Sequence, residues 1–118
     1  MVKRDSKDPL SHYELALTQM ARGEAKTANK ELAESARLDS KNSTYPYERG
    51  MIFNYLNQND EAEKSFKQAF TLDKGNVEAA YQLAYLYAKR NDKQQAEFYI
   101  NHIPCSYTHL TLPTIYSV

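Results

Sequence analysis

The sequence predicts an all-α protein made of three antiparallel helix hairpins, six helices in all. The main observation is an internal repeat, because a shift of 34 residues places Tyr13 on Tyr47 and Tyr47 on Tyr81. The same shift places Ala28 on Ala62. A period of this length is typical of helical repeat arrays, in which each unit is one helix hairpin. Apolar residues also recur with helical spacing between short polar turns, and no strand-like alternation interrupts them.

The composition is that of an ordinary globular domain. The 118 residues include 15 Lys and Arg against 15 Asp and Glu, so the formal net charge is zero. Nucleic-acid-binding domains usually carry a basic excess, and we therefore expect no nucleic-acid partner. No apolar run approaches the roughly 20 residues that span a bilayer, and no apolar segment follows the charged N-terminus, so neither a membrane segment nor a signal peptide is expected. The single cysteine fits a reducing compartment, and the predicted location is cytoplasmic.

The first hairpin is predicted from residues 9 to 42, after a disordered lead-in at residues 1–8. Its first helix is expected to begin at Pro9 or Ser11. An apolar stripe with helical spacing follows, formed by Leu10, Tyr13, Leu17 and Met20. Gly23 lies in the next turn, where glycine can end a helix in a left-handed conformation.

The second hairpin is predicted from residues 43 to 76. Pro46 falls in the first turn of its first helix, where the missing N–H of proline needs no partner. Gly50 and Phe66 are expected to face inward. Glu63 is expected to face solvent, so that its replacement by leucine would have little effect.

The third hairpin is predicted from residues 77 to 104, with a last helix from about Gln94 to His102 that Pro104 ends. No polar helix closes this end of the array, and terminal repeats need a polar outer face for solubility. Three apolar residues are therefore expected to lack packing partners: Phe98, Ile100 and Ile103. We expect self-association through this uncapped C-terminal helix.

Small residues recur where the two helices of each unit should cross, since bulky side chains would hold the backbones beyond their usual spacing of about 8–10 Å. These positions hold Ala16, Gly50 and Ala84 on the first helices and Ala28, Ala62 and Ala96 on the second. Larger residues are placed to fill the gap between neighbouring units: Leu32, Phe66 and Ile100. With these residues in phase, the chain resembles the tetratricopeptide repeat family. The resemblance implies a right-handed superhelical solenoid that serves as a non-catalytic protein–protein interaction module.

Two residues depart from the pattern of that family. Arg49 stands where the pattern has a leucine, and Gln19 stands where it has an aromatic residue. Neither breaks the phase of the repeats, but both are expected to weaken packing locally.

Residues 105–118 do not continue the pattern. The stretch CSYTHLTLPTIYSV is rich in β-branched and aromatic residues and differs from the polar helix that normally closes such an array. It resembles translated sequencing-adapter sequence, which implies that the natural protein continues differently. The alternative is a genuine mobile tail, and in either case we set this stretch apart from the three repeats.

No catalytic or metal-binding arrangement is expected. The nearest approach is the trio His102, Cys105 and His109, but zinc normally takes four such ligands, or three and a water molecule. Two of the three also lie in the atypical tail. The three glycines are scattered, so there is no phosphate-binding glycine-rich loop. The sequence therefore predicts a protein that is not an enzyme and needs neither a metal nor a cofactor.

The resemblance also implies a binding groove, because the first helices of successive tetratricopeptide units line the concave face. One row along this face is a ladder of tyrosines, and a second row follows one helical turn on. The predicted peptide-binding residues are Tyr13, Leu17, Met20, Tyr47, Glu48, Met51, Asn54, Tyr81, Gln82 and Tyr85. The expected ligand is a protein or peptide segment with apolar or aromatic anchors.

Two alternatives stay open. The tyrosines could pack against the neighbouring unit instead of binding a ligand. The chain could also be a structural segment of a larger repeat protein whose groove is filled by its own neighbouring units. Some members of the family bind a C-terminal carboxylate through cations, but the corresponding positions here hold no Lys or Arg, so that mode is not expected. Those positions are Tyr13, Leu17, Glu48, Glu78 and Gln82.

Overall fold

The computed structural model describes residues 8–105, which form six α-helices and no strand. The helices are α1 (Pro9–Ala21), α2 (Ala25–Leu38), α3 (Thr44–Tyr55), α4 (Asn59–Leu72), α5 (Val77–Lys89) and α6 (Lys93–Ile100). The predicted lead-in and tail lie outside the described residues, apart from Asp8 and Cys105. No helix in the described part of the chain is long and apolar enough to cross a bilayer.

The helices pair in sequence order, α1 with α2, α3 with α4 and α5 with α6. Each hairpin then packs on the next through α2 against α3 and α4 against α5. The all-α fold of three stacked hairpins is therefore confirmed. Ala28, Ala62 and Ala96 are fully buried, as predicted for residues at the helix crossings.

The core consists of two clusters of buried side chains. The first joins α1, α2 and α3 and comprises Ala16, Ala25, Ala28, Leu32, Tyr45 and Ile52. The second joins α4, α5 and α6 and includes Phe66, Phe70, Leu83, Tyr87 and Tyr99. Ile103 also belongs to the second cluster and is only 7% exposed, and the partly buried Ile100 packs against the same cluster, so the expectation that these two residues lack packing partners is wrong. Phe98 does remain half exposed, and self-association through α6 stays a prediction.

The last helix is shorter than predicted, since it ends at Ile100 and is followed by a turn. Proline disfavours the helical conformation at the residue before it. Pro104 therefore acts on Ile103, and the chain leaves the helix before reaching that residue.

The three turns inside the hairpins share one backbone conformation. Gly23 has a φ angle of 78°, and Asn57 and Asn91 each have a φ angle of 60°. These residues are related by the same 34-residue shift. Asparagine tolerates the left-handed region better than other residues with a side chain. The left-handed turn was predicted at Gly23 and recurs in all three units.

Replacing Gly23 with alanine is expected to lower the free energy of unfolding by about 1 kcal/mol, because the left-handed conformation strains a Cβ-bearing residue. No atom lies within 4 Å of the position that the new Cβ would take, so the effect is conformational rather than steric. Urea denaturation measures it, with Gly23→Asn as the matched variant because asparagine serves at the other two turns. Equal destabilisation by the two substitutions would contradict this explanation.

Glu63 on α4 does not face solvent, and the prediction that it does is wrong. Its carboxylate accepts hydrogen bonds from the Tyr87 hydroxyl and from Arg90 Nη1, the latter at 2.7 Å. Lys67 Nζ lies 3.0 Å from the same carboxylate. Burial raises the pKa of Glu63, but the hydrogen bonds from Tyr87, Arg90 and Lys67 outweigh it and lower the pKa to about 2. These contacts join α4 to α5 and hence the second unit to the third.

Gln19 occupies the second departure from the family pattern, and weak packing around it stays a prediction. Its Oε1 atom is buried and has no hydrogen-bonding partner among residues 8–105. An unsatisfied polar group in the interior costs about 1–3 kcal/mol. The first unit therefore contains a local defect at a position where the family pattern has an aromatic residue.

Candidate functional site

An exposed apolar row runs along the first helices of the three units. Leu17, Met51 and Tyr85 are 47%, 38% and 37% exposed, and they lie on α1, α3 and α5. The repeat relates all three positions. Contiguous exposed apolar patches mark interaction sites, so large apolar side chains that stay exposed at one position in three successive units are candidates for one.

A cavity of about 450 Å³ lies beside this row, between α1 and α3. Five of the predicted groove residues line it: Leu17, Met20, Glu48, Met51 and Asn54. The floor is apolar and includes Ala16, Leu32 and Ile52. A volume of this size falls within the range of about 300–1,000 Å³ that is usual for ligand pockets.

The tyrosine ladder is half buried, in contrast to the second row. Tyr13 donates a hydrogen bond from its hydroxyl to Glu48 Oε2 at 3.0 Å. Burial and the nearby Glu48 carboxylate raise the pKa of Tyr13, which keeps it a neutral donor. The Tyr47 ring lies 5.8 Å from that of Phe66, and Tyr81 packs against the same core cluster. Tyr13 therefore joins the first unit to the second, and Tyr47 and Tyr81 pack against the core of the second and third units.

Two further depressions each share one lining residue with the 450 Å³ cavity. One, of about 400 Å³, is lined by Tyr13, Tyr47 and Glu48 together with the acidic Asp73 and Glu78. The other, of about 370 Å³, is lined by Asn54, Gln82 and Tyr85 together with Lys89 and Arg90. The first depression, between α1, α3 and the start of α5, is therefore acidic, and the second, near the ends of α3 and α5, is lined by two cations, of which Arg90 is paired with Glu63.

Comparison with known proteins identifies the repeats. Residues 56–106 match the family model described as tetratricopeptide repeat. Residues 56–106 belong to the tetratricopeptide repeat family. Two solved structures, titled "Crystal structure of MamA" and "Crystal structure of MamA protein", share the fold with TM-scores of 0.77 and 0.73. Both are 16% identical to this chain and cover 83% of it.

The chain spans little more than half of those MamA chains, 57% of one and 54% of the other. No curated protein sequence matches it. The tetratricopeptide fold and family support a general role as a protein-interaction scaffold, and repeats of this family are generally not catalytic.

The ten predicted groove residues lie on α1, α3 and α5, and the prediction did not include Tyr55. This side chain is 65% exposed and lines the 450 Å³ cavity. The repeat carries no signal for it, because Ala21 and Lys89 occupy the equivalent positions. Tyr55 is the last residue of α3 and lines the cavity together with Met51 and Ile52 of the same helix.

No group of metal-ligating side chains occurs within the described range 8–105. In the weak trio named above, the His102 ring packs edge-on against Phe70 at 4.9 Å. His109 lies outside the described residues. The contact with Phe70 gives His102 a packing role.

Proposed function

We propose that the tetratricopeptide array binds a short segment of a partner protein in the groove on α1, α3 and α5, and that it does so without catalysing a reaction. The observation that carries the proposal is the exposed row of Leu17, Met51 and Tyr85 beside an apolar cavity of about 450 Å³. Protein interfaces gain most of their affinity from a few apolar or aromatic anchors that enter such cavities.

The lining of the groove indicates the chemistry of the ligand. An apolar side chain fits the cavity between Leu17 and Met51. A basic residue of the same segment fits the acidic depression, where Glu48, Asp73 and Glu78 lie together. Charges of opposite sign favour the correct register of a bound segment and speed its association.

Met51→Glu is expected to weaken binding by about 2 kcal/mol, because it places a charge on the wall of the apolar cavity. The probe is a set of short peptides selected from a random displayed library against the unaltered chain. We expect the selected peptides to share an apolar anchor, and fluorescence anisotropy measures their affinities for both forms.

Leu10→Glu is the matched control. Leu10 is 58% exposed on α1 and does not line the cavity, so this variant should bind as the unaltered chain does. Failure to enrich any peptide, or equal affinities for the Met51→Glu and Leu10→Glu variants, would contradict the groove. Loss of binding only with loss of helix content would favour the alternative, a structural segment of a larger repeat protein.

A further inference from the structure

A second, smaller cavity lies between α2 and α3 and has a different character. Its volume is about 220 Å³, and its lining includes Lys26, Lys30 and Arg49. It shares no lining residue with the 450 Å³ cavity. No Asp or Glu lines it, so it is a local basic site in a chain whose formal net charge is zero.

Arg49 occupies a core position of the repeat. The 34-residue shift relates it to Leu15 and Leu83, and Leu83 is completely buried. Arg49 is itself partly buried, and this desolvation lowers the pKa of its guanidinium. A guanidinium at a leucine position needs partners to offset the loss of water.

The contacts of Arg49 satisfy only one side of its guanidinium. Its Nε donates a hydrogen bond to Asn29 Oδ1 at 3.0 Å, and the group lies 5.5 Å from the centre of the Phe53 ring. Within residues 8–105, its two terminal nitrogens make no hydrogen bond or salt bridge. The negative charge of Glu61 raises the pKa of Arg49, but Glu61 forms its salt bridge with Lys64, at 3.8 Å.

The two lysines add to the positive charge of the cavity. Lys26 and Lys30 are four residues apart on α2, a spacing that places like charges side by side and destabilises a helix. Neither forms a salt bridge within the described part of the chain. Gln58 completes the polar lining, and its side chain makes no capping hydrogen bond to α4.

We propose that this cavity binds a phosphate-type oxyanion through Arg49, Lys26 and Lys30. The free edge of a guanidinium matches the paired oxygens of phosphate, and the two lysines add positive charge that attracts the anion. The volume lies below the range of about 300–1,000 Å³ for whole small-molecule ligands, so it suits one phosphoryl-sized group. That group is either free phosphate or the phosphorylated side chain of a partner.

Inorganic phosphate is the first probe, titrated by calorimetry and by thermal melting at constant ionic strength, with chloride as the balancing salt. We expect saturable binding and a rise in melting temperature. Arg49→Leu should weaken binding at least tenfold and still fold, since leucine serves at this position in the other two units. Arg49→Lys should retain part of the affinity, because it keeps the charge but loses the paired donors.

Lys41→Ala is the matched control, because Lys41 is an exposed cation outside the cavity. It should leave the affinity for phosphate unchanged. Equal binding by Arg49→Leu and the unaltered chain, or no binding of any phosphate-bearing probe, would overturn the proposal.

A short phosphoserine peptide and its unphosphorylated form identify the source of the anion. Binding of the phosphopeptide at least tenfold tighter than inorganic phosphate, with no binding of the unphosphorylated form, assigns the site to a modified partner. Equal or weaker binding assigns it to the free ion. Both results require the loss of affinity in Arg49→Leu, and binding of the unphosphorylated peptide alone would overturn the proposal.

Discussion

Replacing Gly50 with alanine is expected to lower the free energy of unfolding by about 1–3 kcal/mol, the usual effect of overpacking a core. A Cβ atom at this position would lie 2.6 Å, 2.7 Å and 2.9 Å from three atoms of the Phe66 ring. Phe66 is fully buried, so its ring has no open space into which to move. Urea denaturation followed by circular dichroism measures the change.

The other two units supply the control for this prediction. They carry Ala16 with Leu32 and Ala84 with Ile100 at the positions of Gly50 and Phe66. The smaller residue on one helix therefore accompanies the larger residue on the other. The double variant Gly50→Ala/Phe66→Leu recreates the pair of the first unit. We expect Gly50→Ala to lower the free energy of unfolding at most half as much in a chain that already carries Phe66→Leu as it does in the unaltered chain. If the effects of the two substitutions on the free energy of unfolding simply add, the absence of a side chain at Gly50 is not required by the Phe66 ring.

The period of 34 residues explains why the fold could be predicted so fully. Small residues at one register in three units specify where the helices cross, and Ala28, Ala62 and Ala96 are all buried there. A sequence repeat predicts the structural features that all three units share. The row of Leu17, Met51 and Tyr85 could be placed for the same reason, and all three are exposed.

Features that belong to one unit alone could not be predicted in this way. Tyr55 lines the 450 Å³ cavity, and no tyrosine occupies the equivalent position in the other units. Arg49 stood out as a departure from the pattern, but the pattern gave no information on the lysines of α2 that lie near it. Glu63 and Tyr87 are 24 residues apart in sequence and lie on different helices. The apolar periodicity of one helix does not predict which side chains of another helix it contacts.

Glu63→Leu is expected to lower the free energy of unfolding by about 2 kcal/mol at neutral pH, because hydrogen bonds to a charged group contribute about 1.5–3 kcal/mol. Tyr87 is only 6% exposed, so its hydroxyl would lose its partner with little access to water. Arg90 and Lys67 would lose the carboxylate that they share. Glu97→Leu on α6 is the matched control, since Glu97 is exposed and a surface substitution usually changes stability by less than about 0.5 kcal/mol.

The dependence of this effect on pH provides a second, independent check. The pKa of Glu63 falls from its ordinary value of 4.5 to about 2 in the folded protein. A carboxyl group whose pKa is lowered by folding contributes its full stabilisation above its unfolded pKa and loses it as the pH falls towards the folded value. The stability difference between the unaltered chain and Glu63→Gln should therefore be constant above about pH 5.5 and shrink between pH 4.5 and 2. A difference that stays constant down to pH 2 would mean that Glu63 contributes by packing rather than by its charge, and that the second and third units are not joined by this ionic contact.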